Sequence, residues 1–433
     1  MKFFSLILFL SLTFLPSLAK YEYAKEEQEP NYLKVEISNG LTLDEAIKIA
    51  TENNFEIKSK QAEVKLAEAQ VQTASAFQNL YVEGFESRAE NTYFGGLNYL
   101  FETGGKRKKR KEVALRNLEA GKKEYEASIW NLRSNIRQLY TKLTIDEVWL
   151  KVKKERVSLN EELLNVAQKR FEAGDVPLVD VKLAEQTLLN SQSELVAFKN
   201  EVLNDRINLN LKLCLEPLSG WPVEADIEEL YKLPTIKTRE ELINTGLVNK
   251  SELKEALFNL HSAQAELRLA KSLKIPNIQE SIGVATSNAL NTSNKTPDIF
   301  TTNIRTDTVI ELPVLNRYRG PVEEANAKIE KYKYDRIFLI QQISSLISSA
   351  YEKLISMGER LELAKKATLD GEEIVSLIQK GYSYGKMELL QVLLAKQNLK
   401  QAQDNYYLTL IEEQNAITEL ERELGVPLSK VTL

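Results

Sequence analysis

Apolar residues recur every three or four positions along two long stretches of the first half of the chain, and this spacing predicts helices. The first helix is expected from about Lys106 to Phe171, and the second from about Leu178 to Leu213. At about 1.5 Å per residue the first would span roughly 100 Å, far more than an ordinary globular helix. Each apolar stripe needs a partner along its length, so the two helices predict an antiparallel coiled-coil hairpin. The stripes consist of apolar residues at helical spacing: Ile129, Leu132, Ile136, Leu139 and Leu143 in the first helix, and Leu188, Leu195, Val202, Leu209 and Leu213 in the second.

The helical period is lost between Leu80 and Glu102, where aromatic residues are frequent. This segment predicts two strands of about ten residues, joined by a short turn near Ala89–Asn91. The pattern changes in the same way in the second half of the chain. Strands are expected there between about residues 277 and 312, on either side of the polar loop NALNTSNKTPD.

Helices are expected before and after each pair of strands. Thr42 opens a capping-box pattern, which predicts a helix from there to about Phe77. In the second half, Pro276 is expected to end the corresponding helix. A further long helix is predicted to begin near Gly320 and to run to about Tyr382.

The chain contains an internal duplication. Residues 168–188 and 379–399 align without gaps, with nine identities in twenty-one positions at an offset of 211 residues. We therefore expect two copies of a helix–hairpin–helix–helix unit, at residues 41–219 and 238–433, with a linker at 220–237. The expected bounds within the units are strands at about 80–102 and 277–312, and coiled-coil hairpins at about 105–213 and 320–425.

The N-terminus has the layout of a secretory signal peptide. An apolar run ends at Leu15, and small residues stand three and one positions before the expected cleavage site, which follows Ala19. Residues 1–19 are then a signal peptide, and residues 20–40 form an N-terminal extension. The alternative is an uncleaved membrane anchor, although the run is short for a spanning helix.

Composition argues against several classes of function. With one Cys, one His and three Met, the chain has no internal disulfide framework and cannot build a soft-metal site unaided. The net charge of −5 argues against nucleic-acid binding. His261 stands alone in a helical run, Cys214 lies at a helix end without a nearby His, and no phosphate loop or nucleophile elbow occurs. We therefore predict no enzyme activity, no cofactor and no metal site.

The predicted strands have the length that crosses a bilayer as tilted strands. In lipid a sheet must close, because an open edge leaves backbone groups unpaired. Four strands are too few to close a barrel, so several chains would have to combine theirs, and a trimer would supply about twelve. The alternative is a small soluble four-stranded sheet.

Three phrases of the sequence carry a resemblance to a known family: LTLDEAIKIATENN, RFEAGDVPLVDVKLAEQTLLNSQSEL and GYSYGKMELLQVLLAKQNL. The mature chain resembles the TolC-like family of outer-membrane efflux proteins. The resemblance implies a mainly α fold with a β-barrel portion, in which a homotrimer forms a twelve-stranded transmembrane barrel and a long coiled-coil α-barrel. It also implies contact with outer-membrane lipid, and docking to a periplasmic adaptor and an inner-membrane transporter, with the RND type as the candidate class.

Two junctions between strand and helix resemble a subclass of this family. FETGGKRKKR and ELPVLNRYRGPVEEANA are similar to segments of the ducts that serve cobalt–zinc–cadmium-type pumps. The basic run Lys106–Lys111 lies in the first of them. We expect it to form a solvated face just below the barrel, near lipid head groups or in the lumen.

The family resemblance implies that the turns of the two hairpins form the periplasmic mouth of the duct. Acidic residues there can ring a pore, and three facing carboxylates would favour cations. The candidates for the pore or gate are Asp180, Glu388 and Gln391. The candidates for adaptor docking are the residues of the two turns: Gly174, Asp175, Val176 and Pro177, and Gly385, Lys386 and Met387.

The expected function is a passive outer-membrane exit duct of a tripartite efflux system, which opens at its periplasmic helical tips. One alternative is the exit duct of a type I protein-secretion system. A second, of another class, is a periplasmic coiled-coil scaffold or adaptor without a pore.

Overall fold

The computed structural model describes residues 32, 40–87, 92–222, 236–288 and 300–431. The expected signal peptide with its cleavage at Ala19, the turn near Ala89–Asn91 and most of the expected linker lie outside these residues. Most of the N-terminal extension and of the polar loop of the second half also lies outside them.

The first unit opens with two helices, α1 (Leu43–Asn53) and α2 (Phe55–Ser75), where the sequence pattern predicts one. The break lies at Asn54, which has extended backbone angles and whose Oδ1 accepts a hydrogen bond from the backbone N–H of Glu56 at 2.9 Å. Asn54 Nδ2 donates to the carbonyl of Lys212 at 3.0 Å. The expectation of a single helix was therefore wrong, because Asn54 caps α2 and is held by a distant helix end.

The rest of the first unit contains the strands β1 (Tyr81–Ser87) and β2 (Thr92–Phe101), and the helices α3 (Lys106–Glu172) and α4 (Leu178–Leu213). The helix α3 continues through Gly121 without a break. The long helices thus begin and end within a residue of the bounds that the apolar spacing indicates.

The second unit repeats this order. Its helices are α5 (Arg239–Asn249), α6 (Ser251–Ser272), α7 (Arg319–Ser383) and α8 (Leu389–Leu424), its strands are β3 (Ile278–Asn288) and β4 (Phe300–Ile310), and a short 3₁₀ helix follows at Leu428–Lys430. Lys250 separates α5 from α6 as Asn54 separates α1 from α2. Its ammonium pairs with Glu423 near the end of α8, so both breaks are tied to the end of a returning helix.

The four strands form one antiparallel sheet in the order β1-β2-β3-β4. Direct partners across the sheet share a face, and most of the exposed aliphatic side chains of the strands lie on one of the two faces, which also carries Glu86 and Glu280. The apolar face includes five exposed aliphatic side chains: Val82, Leu97, Ile282, Val284 and Ile304. The opposite, polar face includes Glu83, Asn98, Ser281, Arg305 and Asp307.

The helix α3 is the centre of the helical part, because it packs against α2, α4, α6 and α8. A core cluster around Ile136, Leu143 and Trp149 joins it to α1, α4 and α8. A second cluster around Ile347 and Leu420 joins α5, α7 and α8. Among the helices of the described residues, none is both long and apolar enough to cross a membrane.

Candidate functional site at the hairpin tips

The two coiled-coil hairpins turn through the same backbone motif. Gly174 and Gly385 both lie in the left-handed region, with φ of 82° and 72°. In the first turn the N–H of Asp175 donates to the carbonyl of Arg170 at 2.9 Å, and in the second the N–H of Lys386 donates to that of Gly381 at 2.8 Å. These are the bonds of a Schellman motif, which satisfies the last carbonyl groups of a helix. The duplicated sequence therefore encodes a duplicated turn.

The residues predicted for adaptor docking lie together at these turns. All are exposed except Val176, which is half-buried. A Cβ on Gly174 would meet nothing within 4 Å, so its left-handed φ rather than close packing requires glycine there. Their role in docking stays a prediction.

The gate candidates differ between the two turns. Asp180 lies half-exposed in the first turn of α4, where the helix dipole favours a carboxylate. At the corresponding place in α8, Gln391 Oε1 accepts a hydrogen bond from the backbone N–H of Glu388 at 3.2 Å. Gln391 thus satisfies the start of its own helix. A pore role for Asp180, Glu388 and Gln391 stays a prediction.

Arg170 and Tyr382 join the two tips, and the sequence patterns did not reveal them. Arg170 Nη1 donates to the carbonyl of Tyr382 at 3.0 Å, and its guanidinium lies 4.6 Å from the centre of the tyrosine ring. Tyr382 is 1% exposed, and burial raises the pKa of its phenol. The one signal in the sequence is a difference between the repeats: Gly381 stands where the first unit has Arg170, and Phe171 stands where the second has Tyr382.

Above this contact, a series of polar contacts connects α3 to α8. Arg156 donates to Gln403 at 2.8 Å, and its guanidinium lies 3.6 Å from a carboxylate oxygen of Asp404. Lys396 Nζ donates to Asn160 Oδ1 at 2.9 Å, and burial lowers the pKa of this ammonium to about 8. Arg156, Asn160, Lys396 and Gln403 border a cleft of about 990 Å³ between the two hairpins. Apolar side chains cross the same interface, where Leu163 of α3 packs with Leu389 and Val392 of α8. The hairpins therefore meet through both polar and apolar contacts.

Comparison with known proteins identifies the family. The model of the outer membrane efflux protein family matches residues 46–213 and 242–426. The chain belongs to this family. Its location is accordingly the outer membrane, as predicted.

Two relatives of this outer membrane efflux protein extend over most of its length. The cobalt-zinc-cadmium resistance protein CzcC of Cupriavidus metallidurans is 22% identical over 399 residues, which cover 90% of this chain and 91% of that protein. The probable outer membrane lipoprotein SilC of Salmonella typhimurium is 23% identical over 337 residues, 75% of this chain and 70% of that protein.

Solved channel structures share the fold. The outer membrane channel CmeC of Campylobacter jejuni matches with a TM-score of 0.72 at 17% identity, over 88% of this chain and 85% of that chain. CusC matches with a TM-score of 0.71 at 18% identity, over 91% and 95%. The predicted mainly helical fold with four antiparallel strands is thus confirmed.

The basic run of the efflux protein does not form a solvated face, and that expectation was wrong for four of its six residues. Lys106 is 7% exposed and donates to the carbonyl of Ile275 at 2.6 Å. Arg110 pairs with Glu102 at 2.6 Å and also donates to the carbonyl of Ala74. Arg107 and Lys109 also donate to backbone carbonyls. The basic run contacts the ends of neighbouring helices and strands, because its cations donate to carbonyl groups that are left unpaired at helix C-termini.

A carboxylate cluster with one buried member, Asp146, lies between α3 and α4. Carboxylate oxygens of Asp146, Glu201 and Asp205 come within 4.8 Å of one another. Lys142 Nζ lies among them, at 2.8 Å from Asp146 Oδ2 and 3.4 Å from Glu201. Asp146 is 1% exposed, and burial raises the pKa of its carboxyl well above the usual range. An ammonium group of the chain itself thus already occupies the place of a cation.

His261 and Cys214, the two residues considered for catalysis, lie far apart in the sequence, and each contacts a neighbouring group. His261 is half-buried in α6, with its ring 6.1 Å from that of Phe258. Cys214 ends α4 with φ of 58°, and its thiol lies 3.7 Å from the carbonyl oxygen of Asn53.

Proposed function

We propose that this protein is a passive, trimeric exit duct of a tripartite efflux system. The sheet carries the proposal. Its apolar face places Val82, Leu97 and Ile282 side by side on neighbouring strands, exposed by 87%, 48% and 59%. Such a surface suits lipid rather than water.

The edges of the sheet support a trimer. Among the described residues, the outer strands β1 and β4 each have one neighbouring strand, so each leaves one row of backbone groups without a partner strand there. Pairing β4 of one copy with β1 of the next removes these edges, and three copies would give a barrel of about twelve strands. The polar face would then line the lumen, with Asn98 Nδ2 bound to Glu83 at 3.0 Å.

The helices support the same assembly. On α4, Leu189, Val196 and Leu203 repeat every seven residues, and each is more than 40% exposed. An exposed apolar stripe at heptad spacing suits a neighbouring helix. A second copy of the chain can supply that helix, which extends the barrel as a helical tunnel.

We infer that the duct opens at its tips when a periplasmic adaptor docks. In the closed state Arg170 and Tyr382 hold the two hairpins of each chain together. Docking at the exposed turns would move one hairpin against the other and break this contact. Energy for transport is supplied by an inner-membrane transporter, for which the RND type stays our candidate from the resemblance to the TolC-like family.

Single-channel recording in planar bilayers tests the duct. The wild type should insert and conduct at a low level, and Arg170→Ala should raise conductance or open probability severalfold. The lost hydrogen bond and cation–π contact are together worth about 1–3 kcal/mol per chain. Arg268→Ala is the matched control, because it removes an ion pair with Glu112 at the opposite end of the long helix.

Two outcomes contradict the proposal. A protein that stays soluble without detergent and never conducts is a scaffold rather than a duct. If the protein conducts but Arg170→Ala changes conductance and open probability no more than Arg268→Ala does, the contact that closes the duct lies elsewhere.

A further inference from the structure

Large apolar side chains are exposed where the strands meet the helices. Phe101 and Ile310 end β2 and β4 on the apolar face, and they are 49% and 47% exposed. Beyond β4, the connection to α7 leaves Leu312, Val314 and Leu315 exposed, with Leu315 wholly accessible. This end of the sheet thus continues the apolar face past the last strand residue.

Basic side chains border these apolar groups. Arg317 and Arg319 follow the exposed connection, and Lys108 and Lys111 lie in the first turns of α3. All four are exposed, and none has an ion pair with another residue of the described ranges. Glu311 is the one carboxylate between residues 310 and 319. Residues 106–112 and 310–324 together contain eight Lys and Arg and four Glu, so the border carries a net positive charge.

One contact shows how a cation and an aromatic ring are arranged here. The guanidinium of Arg107 lies 3.6 Å from the centre of the Phe77 ring, and Arg107 Nη1 donates to the carbonyl of Ser75 at 3.2 Å. The ring is itself 67% exposed. An apolar ring with a cation on it matches the boundary between acyl chains and head groups.

We propose that this border binds the head groups of anionic phospholipids in the leaflet that faces the helices. The proposal rests on the proposed function, since it needs the sheet to span a membrane. The border, which we call the head-group belt, consists of exposed apolar and basic side chains: Phe77, Phe101, Leu312, Val314, Leu315, Lys108, Lys111, Arg317 and Arg319. The apolar members lie among the acyl chains near the glycerol groups, and the basic members contact phosphates.

Charge complementarity favours lipid, rather than a second copy of the chain, as the partner of the head-group belt. The four cations of the belt would need carboxylates from a neighbouring copy. The connection between α2 and β1, with the first residue of β1, offers aromatic and aliphatic side chains instead: Phe77, Leu80 and Tyr81, all more than half exposed. A leaflet with anionic head groups supplies both the apolar and the negative partner.

Native mass spectrometry of the full chain in detergent, with equimolar phosphatidylglycerol and phosphatidylcholine, tests the belt. The wild type should retain phosphatidylglycerol in preference, and Arg317→Gln with Arg319→Gln should reduce the preference by roughly fivefold per cation at low salt. The control is Lys169→Gln with Lys366→Gln, which removes two exposed cations from the distant helices and should leave the preference unchanged. Salt at about 1 M should abolish the wild-type preference.

Equal retention of both lipids by the wild type overturns the proposal that the head-group belt binds anionic lipid. An unchanged lipid preference in the variant with Arg317→Gln and Arg319→Gln overturns it too. A variant that loses its oligomeric state but keeps its lipid preference assigns the belt to contact between copies, and this also overturns the proposal. Recording in bilayers of phosphatidylcholine alone and in bilayers that also contain phosphatidylglycerol separates the two proposals. Pores without lipid preference leave the duct standing, whereas failure to insert in either lipid refutes the duct itself.

Discussion

Glu413 is a buried carboxyl group whose removal should stabilise the protein at neutral and alkaline pH. It lies in α8 between the two main core clusters and is 1% exposed. Its Oε2 has no hydrogen-bond partner among the described residues. Burial, with Glu362 as a second cause, raises the pKa of Glu413 to about 7. Replacement by glutamine keeps the shape and removes the charge.

The magnitude follows from the shift in pKa. The folded state binds the proton more tightly than the unfolded state, in which the pKa is near 4.5. The contribution of Glu413 to stability is therefore greatest below about pH 4.5 and is lost as the pH rises to about 7. The difference between a pKa of about 7 in the folded state and one near 4.5 in the unfolded state corresponds to about 3 kcal/mol of folding free energy as an upper limit. Because glutamine still buries a polar amide, we expect Glu413→Gln to stabilise the chain by about 1–3 kcal/mol at pH 8.

Thermal unfolding in detergent, followed by circular dichroism at pH 5 and pH 8, measures this effect. At pH 8 the variant should unfold at a higher temperature than the wild type. At pH 5 the two unfolding temperatures should be nearly equal. Glu373→Gln is the control, since it removes an exposed carboxylate from α7. A difference of the same size at both pH values would show that the charge of Glu413 is not the cause, and so would an equal effect of the control.

Two further changes test the local structure by the same measurement. Cys214→Gly should stabilise the chain by about 0.5–1 kcal/mol, because Cys214 has a left-handed φ and the corresponding residue of the second unit is Gly425. Gly425→Ala should destabilise the chain. If Cys214→Gly were destabilising, the contact of the thiol would outweigh the backbone strain. Asn54→Ala should cost about 1–3 kcal/mol, because it removes both the cap of α2 and the bond to Lys212. Asn53→Ala, which removes a side-chain bond within α1 only, should cost less, and equal losses would contradict the role of the break.

The turns at Gly174 and Gly385 could be predicted because their causes are local. A glycine with a left-handed φ ends each long helix, and a proline or an acidic residue starts the next one. The lengths of the helices follow from an apolar period of three to four residues, and the strands from its loss. The duplication places each feature twice, so each turn supported the prediction of the other.

The residues that join distant segments could not be predicted in this way. Nothing near Arg170 in the sequence shows that it lies against Tyr382, 212 positions away. The basic run looks like a solvated face until Ile275 and Ala74 are known to place their carbonyl groups beside it. In each case the partner is chosen by the packing of whole helices.

The sequence by itself determined the repeated unit, the long helices, the four strands and the two turns, since each depends on spacing and backbone preference within a short segment. Only the tertiary structure decided which charged residues are buried and which partners they have. It buries Asp146 beside Lys142, and within the described residues it leaves Glu413 Oε2 without a hydrogen-bond partner, although the spacing of both residues would suit a solvated helix face. Burial depends on which helices meet, and a short segment carries no record of its neighbours.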